Sequence, residues 1–376
     1  MRVLVTGGAG FIGSHLVDLL VANGAEVRVL DNLSAAGHGG PDHINPAADY
    51  RFVDCRDRDA VGDAVKGVDA VSHQAARVGM GRGLDDALEY VRDNDEATAV
   101  LLRALSVSRF AGRLVLASSM VVYGEGIYRC PRHGLVPPGP RHPARLAAGD
   151  FEPPCSVCGG SVRPDLTGED APLRPSSVYA ATKVHQEHLA GVYARETGVP
   201  VTSLRYHNVY GPRFPRGTPY AGVASVFLTA LAAGRAPTVL EDGGQRRDFV
   251  HVTDVARANL AALTVEPPVN GPVNVASGAA HTVGELAAAL VAGVGPAAPP
   301  PLVTGRWRPG DVRHVTASHE RAMRLLGFRA RVPFDQGVAE LASETGAGTP
   351  TRSTGAVLPG GRGARQRDQA FRGDPG

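Results

Sequence analysis

The chain has 376 residues, of which 43% are hydrophobic and 20% charged, so it can bury a large core. Its 39 basic and 37 acidic side chains give a net charge of +2, and the stretch 343–376, with five Arg and three acidic residues, accounts for all of it. The rest of the chain carries equal numbers of basic and acidic side chains, which argues against nucleic-acid or membrane-surface binding. With no apolar run near the roughly 18–20 residues that span a bilayer and no signal-peptide pattern, we expect a cytoplasmic protein.

Short apolar runs alternate with helical patterns along the chain. Predicted strands cover residues 2–6, 26–30, 51–54, 69–73 and 113–119, with a first helix over 12–22. A second series has helices over 179–195, 221–233 and 282–293 and strands over 201–206 and 272–276. Strands alternating with helices predict a Rossmann-type, doubly wound parallel α/β sheet, followed by a smaller C-terminal α/β domain.

A glycine-rich turn, TGGAGFIG, joins the first strand to the first helix. Gly7, Gly10 and Gly13 have the spacing that lets a backbone approach a pyrophosphate and pack a helix closely on a strand. Phe11 and Ile12 lie where the helix begins, and the N-terminus of a helix binds phosphate groups. In this strand–turn–helix context the pattern predicts a dinucleotide site.

Acidic residues end the next two strands. Asp31, followed by Asn32, is placed to bind a free ribose 2′-hydroxyl and to repel a 2′-phosphate, so NAD is favoured over NADP. Asp54 is placed to reach the adenine edge or to cap a helix. Its neighbour Cys55 is assigned to the same cofactor edge, and also fits a buried core thiol.

A tyrosine and a lysine lie four positions apart in the sequence YAATK. On a helix, Tyr179 and Lys183 share one face. A nearby ammonium and a positive nicotinamide ring would both lower the phenol pKa from about 10 toward working pH, which suits proton transfer. Ser118 and Ser119 end a strand beside this position, where a hydroxyl can orient a sugar oxygen.

These motifs occur in a characteristic order. Together with LASSMVVYGEG, LRYHNVYGP and RRDFVHVTDVA, they resemble the extended short-chain dehydrogenase/reductase family of NAD-dependent nucleotide-sugar epimerases and dehydratases over about residues 1–345. The resemblance implies that Ser119, Tyr179 and Lys183 are catalytic, with the first two also contacting substrate. It further implies that Ala75, Ala76, Asn94 and Ser118 line the cofactor, that Asn208, Arg247 and Arg308 hold the substrate diphosphate, and that the protein is a homodimer.

Two positions depart from parts of this family. Sugar 4,6-dehydratases carry Asp-Glu, and glucuronate decarboxylases a Glu, where this chain has Met120 and Val121. Without an acid there, the resemblance favours a 4-epimerase, most similar to the dTDP-L-rhamnose 4-epimerase and UDP-glucose 4-epimerase groups. Dehydration, decarboxylation, 4-keto reduction and a non-catalytic NAD-sensing or nucleic-acid-binding role remain alternatives. His207 stands where the family usually has Phe.

Three of the four cysteines lie in a Pro-, Gly- and Arg-rich insertion over residues 124–176. Cys130 and His133 form a C-x2-H pair, and Cys155 and Cys158 form a C-x2-C pair. Two turns with two ligands each are typical of structural zinc, although chance clustering is an alternative. We expect a zinc knuckle that gives the insertion a core.

The domain boundaries follow from these assignments. We expect an NAD-binding Rossmann domain over 1–123 and 177–206, the zinc insertion over 124–176, a mainly substrate-binding domain over 207–345 and a disordered tail over 346–376.

Overall fold

The computed structural model describes residues 1–34, 43–79, 83–215, 222–308 and 310–346. The strands, in chain order, are β1 (Arg2–Thr6), β2 (Glu26–Asp31), β3 (Asp49–Phe52), β4 (Ala70–His73), β5 (Arg113–Ser119), β6 (Tyr128–Cys130), β7 (Gly134–Val136), β8 (Arg163–Pro164), β9 (Val201–Tyr206), β10 (Asn208–Tyr210), β11 (Thr238–Val239), β12 (Arg246–His251), β13 (Gly271–Val275), β14 (Ala280–Thr282), β15 (Leu302–Val303) and β16 (His314–Val315).

The α-helices, again in chain order, are α1 (Phe11–Ala22), α2 (Arg58–Ala64), α3 (Ala87–Tyr90), α4 (Ala97–Val107), α5 (Pro143–Ala147), α6 (Val178–Thr197), α7 (Val223–Ala232), α8 (Val252–Thr264), α9 (Val283–Val294), α10 (Glu320–Leu326) and α11 (Phe334–Gly346). Tighter 3₁₀ turns occupy Gly83–Asp86 and Met120–Tyr123, and a π-helical turn occupies Val91–Glu96.

The predicted strands form one large parallel sheet with the order β13-β9-β5-β4-β1-β2-β3 within the described residues. The order reverses at β1, as in a doubly wound sheet, so the carboxyl ends of β1 and β4 border a crevice. Continuous apolar runs such as RVLVT form these strands because helices cover both faces of the sheet. The predicted fold class is confirmed.

The two faces of the large sheet carry separate cores. One core packs α1, α8 and α10 against the sheet, and includes Leu16, Val255 and Leu326. The other packs α2, α4 and α6, and includes Leu105 and Tyr193. Helix α6 is fixed at both ends: the Ser177 hydroxyl accepts a hydrogen bond from the Ala180 N–H at 3.1 Å, and Gly198 adopts a left-handed φ of +74°.

Residues after 206 contribute to both parts of the fold. Strand β13 and helices α8 and α10 join the large sheet, whereas α7, α9 and α11 enclose a separate core with Phe227, Phe249 and Leu286. Strand β10 pairs with β12, and β12 also pairs with β14 and β16. The segment 207–345 therefore contributes elements both to the large sheet and to a separate core.

The insertion over 124–176 forms a small sheet with the order β7-β6-β8 and a core of Tyr128, Val136 and Val162 with two cysteines. Its outer backbone pairs with the segment 314–318: Gly126 N–H donates to His314 O at 3.1 Å and Thr167 N–H donates to Thr316 O at 2.8 Å. The insertion is therefore anchored against the strand that follows residue 313.

In the described part of the chain, no helix combines the length and apolar character that crossing a bilayer requires. The tail predicted over 346–376 lies outside the described residues, apart from Gly346 at the end of α11.

Candidate active site

The glycine turn after β1 is built by close backbone contacts. A Cβ on Gly7, whose φ is +69°, would lie 2.6 Å from Ala75 N, and a Cβ on Gly13 would lie 2.0 Å from Gly7 O. Gly10 precedes α1 in extended conformation, so the N–H groups of Phe11 and the following residues point out of the helix N-terminus. Only glycine fits at positions 7 and 13, and the turn has the shape that a pyrophosphate requires.

Acidic side chains border this turn at the ends of β2 and β3. Asp31 is 3% exposed and accepts hydrogen bonds from Ala9 N at 2.9 Å and Leu33 N at 2.9 Å. Asp54 pairs with Arg56 at 2.6 Å, and this contact lowers the Asp54 pKa to about 2. The Asn32 amide also donates to Asp54, at 3.2 Å. The Asp54 carboxylate is therefore ionised at the expected cofactor edge, and the Asp31 carboxylate is held there by backbone N–H groups.

Three other predicted cofactor residues lie in different surroundings. Ala75 donates its N–H to Thr6 Oγ1 at 3.2 Å, and Ala76 follows it in the loop after β4. Cys55 is buried in the core under the sheet, and burial raises its thiol pKa to about 12. Its side chain therefore packs as a core residue.

Asn94 lies on the π-helical turn and is fully buried. Its Oδ1 accepts from Arg77 N at 2.7 Å, and its Nδ2 donates to Arg77 O at 3.1 Å and to Thr182 Oγ1 at 2.9 Å. The side chain thereby ties the loop after β4 to helix α6. Its predicted cofactor contact remains a prediction, with the amide already engaged inside the protein.

The predicted catalytic side chains meet where β5 ends beside α6. Lys183 is 3% exposed and donates to Ala117 O at 2.9 Å, with its Nζ 5.9 Å from the centre of the Tyr179 ring. Tyr179 packs on Tyr90, with ring centres 6.1 Å apart. A hydrogen bond with Ser119 opposes the rise in the Tyr179 pKa that burial causes. The structure thus brings Ser119, Tyr179 and Lys183 together.

Burial dominates the ionisation of this pair in the protein alone. It raises the pKa of Tyr179 above its ordinary value and lowers the pKa of Lys183 to about 8. In the protein alone, Lys183 therefore does not offset the rise that burial causes in the Tyr179 pKa. We expect the positive charge of a bound nicotinamide ring to lower that pKa.

Ser118 differs from its neighbour. It is 2% exposed, and its hydroxyl donates to Glu187 at 2.5 Å, so it is tied into the protein interior. Glu187 also accepts two hydrogen bonds from Arg205, at 2.9 and 2.7 Å. The Ser118 hydroxyl therefore supports a buried ion pair that the sequence analysis missed. Glu187 lies four residues after Lys183 on the same helical face, which is the signal that would have indicated it.

The two residues directly after Ser119, at which an acid would indicate dehydration or decarboxylation, have apolar side chains. Met120 and Val121 begin the 3₁₀ turn, and the Val121 N–H donates to Ser119 Oγ at 3.4 Å. Neither side chain can donate or accept a proton. At this turn the site consequently offers no carboxylic acid beside Tyr179.

Asn208 and Arg247 lie on the adjoining strands β10 and β12, and Arg308 lies in the loop after β15. Asn208 opens β10, and its buried Oδ1 has no partner among the described residues. Arg247, on β12, and Arg308 both act electrostatically on Asp311, where they oppose the effect of burial, which raises the Asp311 pKa. The structure thus brings the two arginines to one locality, and Arg308 is exposed there.

His207 is a further buried polar group. It is 3% exposed, and burial lowers its pKa to about 3, although a hydrogen bond with the Asn274 side chain acts in the opposite direction. It directly follows Tyr206, which pairs with Ser119 across β5 and β9. A neutral imidazole therefore borders the catalytic strand end.

The four predicted metal ligands converge at one end of the insertion. Cys130 Sγ lies 3.4 Å from His133 Nδ1 and 3.9 Å from Cys158 Sγ, and Cys155 Sγ lies 3.6 Å from His133 Nδ1. All four ligand atoms lie within 4.8 Å of one another. Gly134 and Gly159, which follow the second ligand of each pair, have φ values of +68° and +69°, so both pairs form the same kind of turn.

Comparison with known proteins identifies similar sequences. The model of the NAD dependent epimerase/dehydratase family matches residues 3–145 and 155–276. The dTDP-L-rhamnose 4-epimerase of Burkholderia thailandensis is 33% identical over 90% of this chain and 93% of its own length. The UDP-glucose 4-epimerase of Mycolicibacterium smegmatis is 33% identical over 90% and 97%.

Solved structures show the same relationship. The complex of the Thermus thermophilus UDP-glucose 4-epimerase with NAD superposes with a TM-score of 0.74, at 32% identity over 93% of this chain and all of that one. The chain belongs to the NAD dependent epimerase/dehydratase family.

Proposed function

We propose that the protein is an NAD-dependent nucleotide-sugar 4-epimerase that acts on dTDP-L-rhamnose or a related dTDP- or UDP-hexose. The observation that carries the proposal is the meeting of Ser119, Tyr179 and Lys183 beside the apolar pair Met120 and Val121. The names of the relatives support the substrate class.

NAD fits the crevice because the glycine turn, the α1 N-terminus and Asp31 match its pyrophosphate and ribose. When bound, NAD would accept a hydride from the sugar C4 and return it to the opposite face. The predicted cofactor contacts of Asn32, Asp54 and Ala76 belong to the same proposal. The hydride chemistry is the cofactor's, and the protein supplies the orientation.

Tyr179 exchanges the proton of the C4 hydroxyl in this proposal. Its phenol is partly buried and faces Ser119, whose hydroxyl orients the same sugar oxygen. Lys183 is held by Ala117 O at 2.9 Å, so its ammonium stays close to the Tyr179 ring. This charge favours the phenolate once a nicotinamide ring adds its own.

The apolar turn after Ser119 favours epimerisation over the alternatives. Eliminating a C6 hydroxyl requires an acid near the leaving group, and Met120 and Val121 supply none. A 4-ketoreductase would use the same three catalytic residues but would consume NADH. An NAD-sensing protein would not need Tyr179 and Lys183 on one helical face.

Asn208, Arg247 and Arg308 would hold the substrate diphosphate. Planar guanidinium groups suit phosphate oxygens, and the buried Asn208 Oδ1 has no partner in the described part of the chain. If the protein binds the substrate through its diphosphate, the hexose can rotate and present its other face to the cofactor. Epimerisation requires this rotation.

The reaction class is tested by stoichiometry. Purified enzyme with no added cofactor should convert far more sugar nucleotide than the NAD it contains, because an epimerase regenerates its cofactor. A ketoreductase would instead stop after one equivalent unless NADH were supplied. Conversion that scales with added NADH would contradict the proposal.

We also propose a structural zinc ion at Cys130, His133, Cys155 and Cys158. In a tetrahedral site with Zn–S of about 2.3 Å and Zn–N of about 2.0 Å, sulfurs lie about 3.8 Å apart and sulfur and nitrogen about 3.5 Å apart. The observed separations of 3.9, 3.4 and 3.6 Å match these values. Zinc would complete the small core of the insertion.

Metal analysis of protein purified without a histidine tag should find about one zinc per chain. Cys158→Ser should lose most of the zinc because it removes one ligand, whereas the matched control Cys55→Ala, which removes a thiol outside the cluster, should retain it. Well under one equivalent in the unsubstituted protein would discard the zinc site.

The remaining features of the proposal concern assembly, location and domains. Leu88, Val107 and Val192 are 69%, 71% and 40% exposed on α3, α4 and α6, which supports a homodimer through these helices. A cytoplasmic location is consistent with free cysteines. The proposed Rossmann, insertion and substrate-binding regions are those given above, with β13, α8 and α10 of the last region packed on the large sheet.

A further inference from the structure

A buried network of charges joins the insertion to the segment 311–313. We propose that Arg141 of the insertion is a positioning residue that orients Arg247 for the substrate diphosphate by fixing this segment. The inference rests on the proposed role of Arg247 as a diphosphate ligand.

Most of the Arg247 guanidinium is held by main-chain carbonyl groups. Its Nη1 donates to Arg246 O at 2.8 Å and to Arg313 O at 2.9 Å, and its Nη2 donates to Val312 O at 2.7 Å. These bonds use three of the five N–H bonds of an arginine. Nε–H and one Nη2–H remain without a partner among the described residues, and they can serve a phosphate.

The position of Arg247 therefore depends on the carbonyl groups of residues 312 and 313. Two side chains of the insertion hold that segment. Arg141 Nη2 donates to Asp311 O, and the Glu125 carboxylate accepts from the Arg313 N–H at 2.9 Å. Arg141 and Glu125 are themselves paired at 3.6 Å.

Arg141 is fixed by buried partners. Its side chain is 7% exposed, and its Nη1 donates to Glu241, which is 1% exposed, at 2.7 Å and to Phe151 O at 3.3 Å. Glu241 also accepts from Arg313 at 2.9 Å and has a φ of +53°, a conformation that a glutamate rarely adopts. The network thus imposes one geometry on the segment.

Stability alone does not explain this arrangement. Buried ion pairs contribute little net stability, because the free energy of removing both charges from water is about as large as the free energy of their attraction. They do, however, fix side chains rigidly. Arg141 also adds positive charge near Arg247, and such a concentration of charge suits a diphosphate.

The test compares substrate kinetics and ligand binding in single and double variants. Arg141→Gln is expected to raise KM and the Kd of dTDP or UDP, whichever the wild type binds more tightly, about tenfold, which is what a misplaced charged hydrogen bond typically costs. The value of kcat should stay within about twofold because the catalytic groups are untouched. Arg145→Gln, which removes an exposed pair with Asp150 in the same insertion, should change neither.

A double-mutant cycle identifies the route of the effect. If Arg141 acts through Arg247, then Arg141→Gln should add little to the loss of affinity that Arg247→Gln already causes. Should Arg141→Gln fail to fold, Arg141→Lys keeps the charge opposite Glu241 but not all of the hydrogen bonds, and a severalfold rise in KM is expected.

The outcomes separate the inference from the proposed function. If Arg247→Gln weakens dTDP or UDP binding but neither Arg141 variant does, or if the two effects simply add, the positioning role is wrong. If Arg247→Gln itself leaves binding unchanged, the diphosphate assignment of Arg247 fails, and with it the inference.

Discussion

The adjacent serines at the end of β5 should respond in opposite ways to substitution by alanine. Ser118 donates to Glu187 inside the protein, whereas Ser119 faces Tyr179. We expect Ser118→Ala to lower stability and to leave turnover within a few-fold. Ser119→Ala should lower kcat about 100-fold, as loss of a hydroxyl that orients a reacting oxygen does, with little change in stability.

The size of the stability effect follows from the contacts of Glu187. A hydrogen bond to a charged acceptor contributes about 1.5–3 kcal/mol. In Ser118→Ala the Glu187 carboxylate keeps its two bonds from Arg205, so we expect a loss of about 2 kcal/mol. For the unit Met1–Gly346, an unfolding entropy of about 0.7 kcal/mol/K converts this loss into a fall of about 3 °C in the thermal midpoint.

Thermal unfolding and steady-state turnover of both variants, at matched NAD content, check this prediction. The reasoning is refuted if Ser118→Ala melts with the wild type, or if it loses turnover as severely as Ser119→Ala. The second result would support the cofactor contact that the sequence analysis predicts for Ser118.

Two further predictions concern the pair on α6. Tyr179→Phe should lower turnover about 10²–10⁴-fold and leave NAD content and melting unchanged, because the ring keeps its contact with Tyr90; more than a tenth of the activity would contradict this. Burial lowers the Lys183 pKa to about 8, so kcat should fall as the pH rises through 8 and the ammonium is lost. A flat profile between about pH 7 and pH 9 would show that the charge is not needed.

The sequence predicts those parts of the molecule that local spacing determines. Gly7, Gly10 and Gly13 lie on one turn, Tyr179 and Lys183 lie on one helical face, and each pair of predicted zinc ligands lies on one turn. The doubly wound parallel sheet was also accessible, because parallel strands joined by helices have few allowed arrangements. The role of Ser118 was accessible in principle, since neighbouring strand residues face opposite sides.

Long-range polar contacts were not accessible. Arg141 and Glu241 are a hundred positions apart, and nothing in either local sequence pairs them. Asn94 could be placed near the cofactor by resemblance, but its three hydrogen bonds to Arg77 and Thr182 depend on how the loop after β4 packs on α6. Such contacts are determined by tertiary packing and not by periodicity.

Proton NMR of dTDP-L-rhamnose incubated with purified protein, without added NAD, tests the central claim most directly. We expect an equilibrium mixture of the substrate and its 4-epimer, which would establish epimerisation and retained cofactor together. If dTDP-L-rhamnose is unchanged but a UDP- or GDP-sugar is converted, only the assigned substrate is wrong. If no sugar nucleotide changes while NAD is demonstrably bound, the epimerase proposal is contradicted.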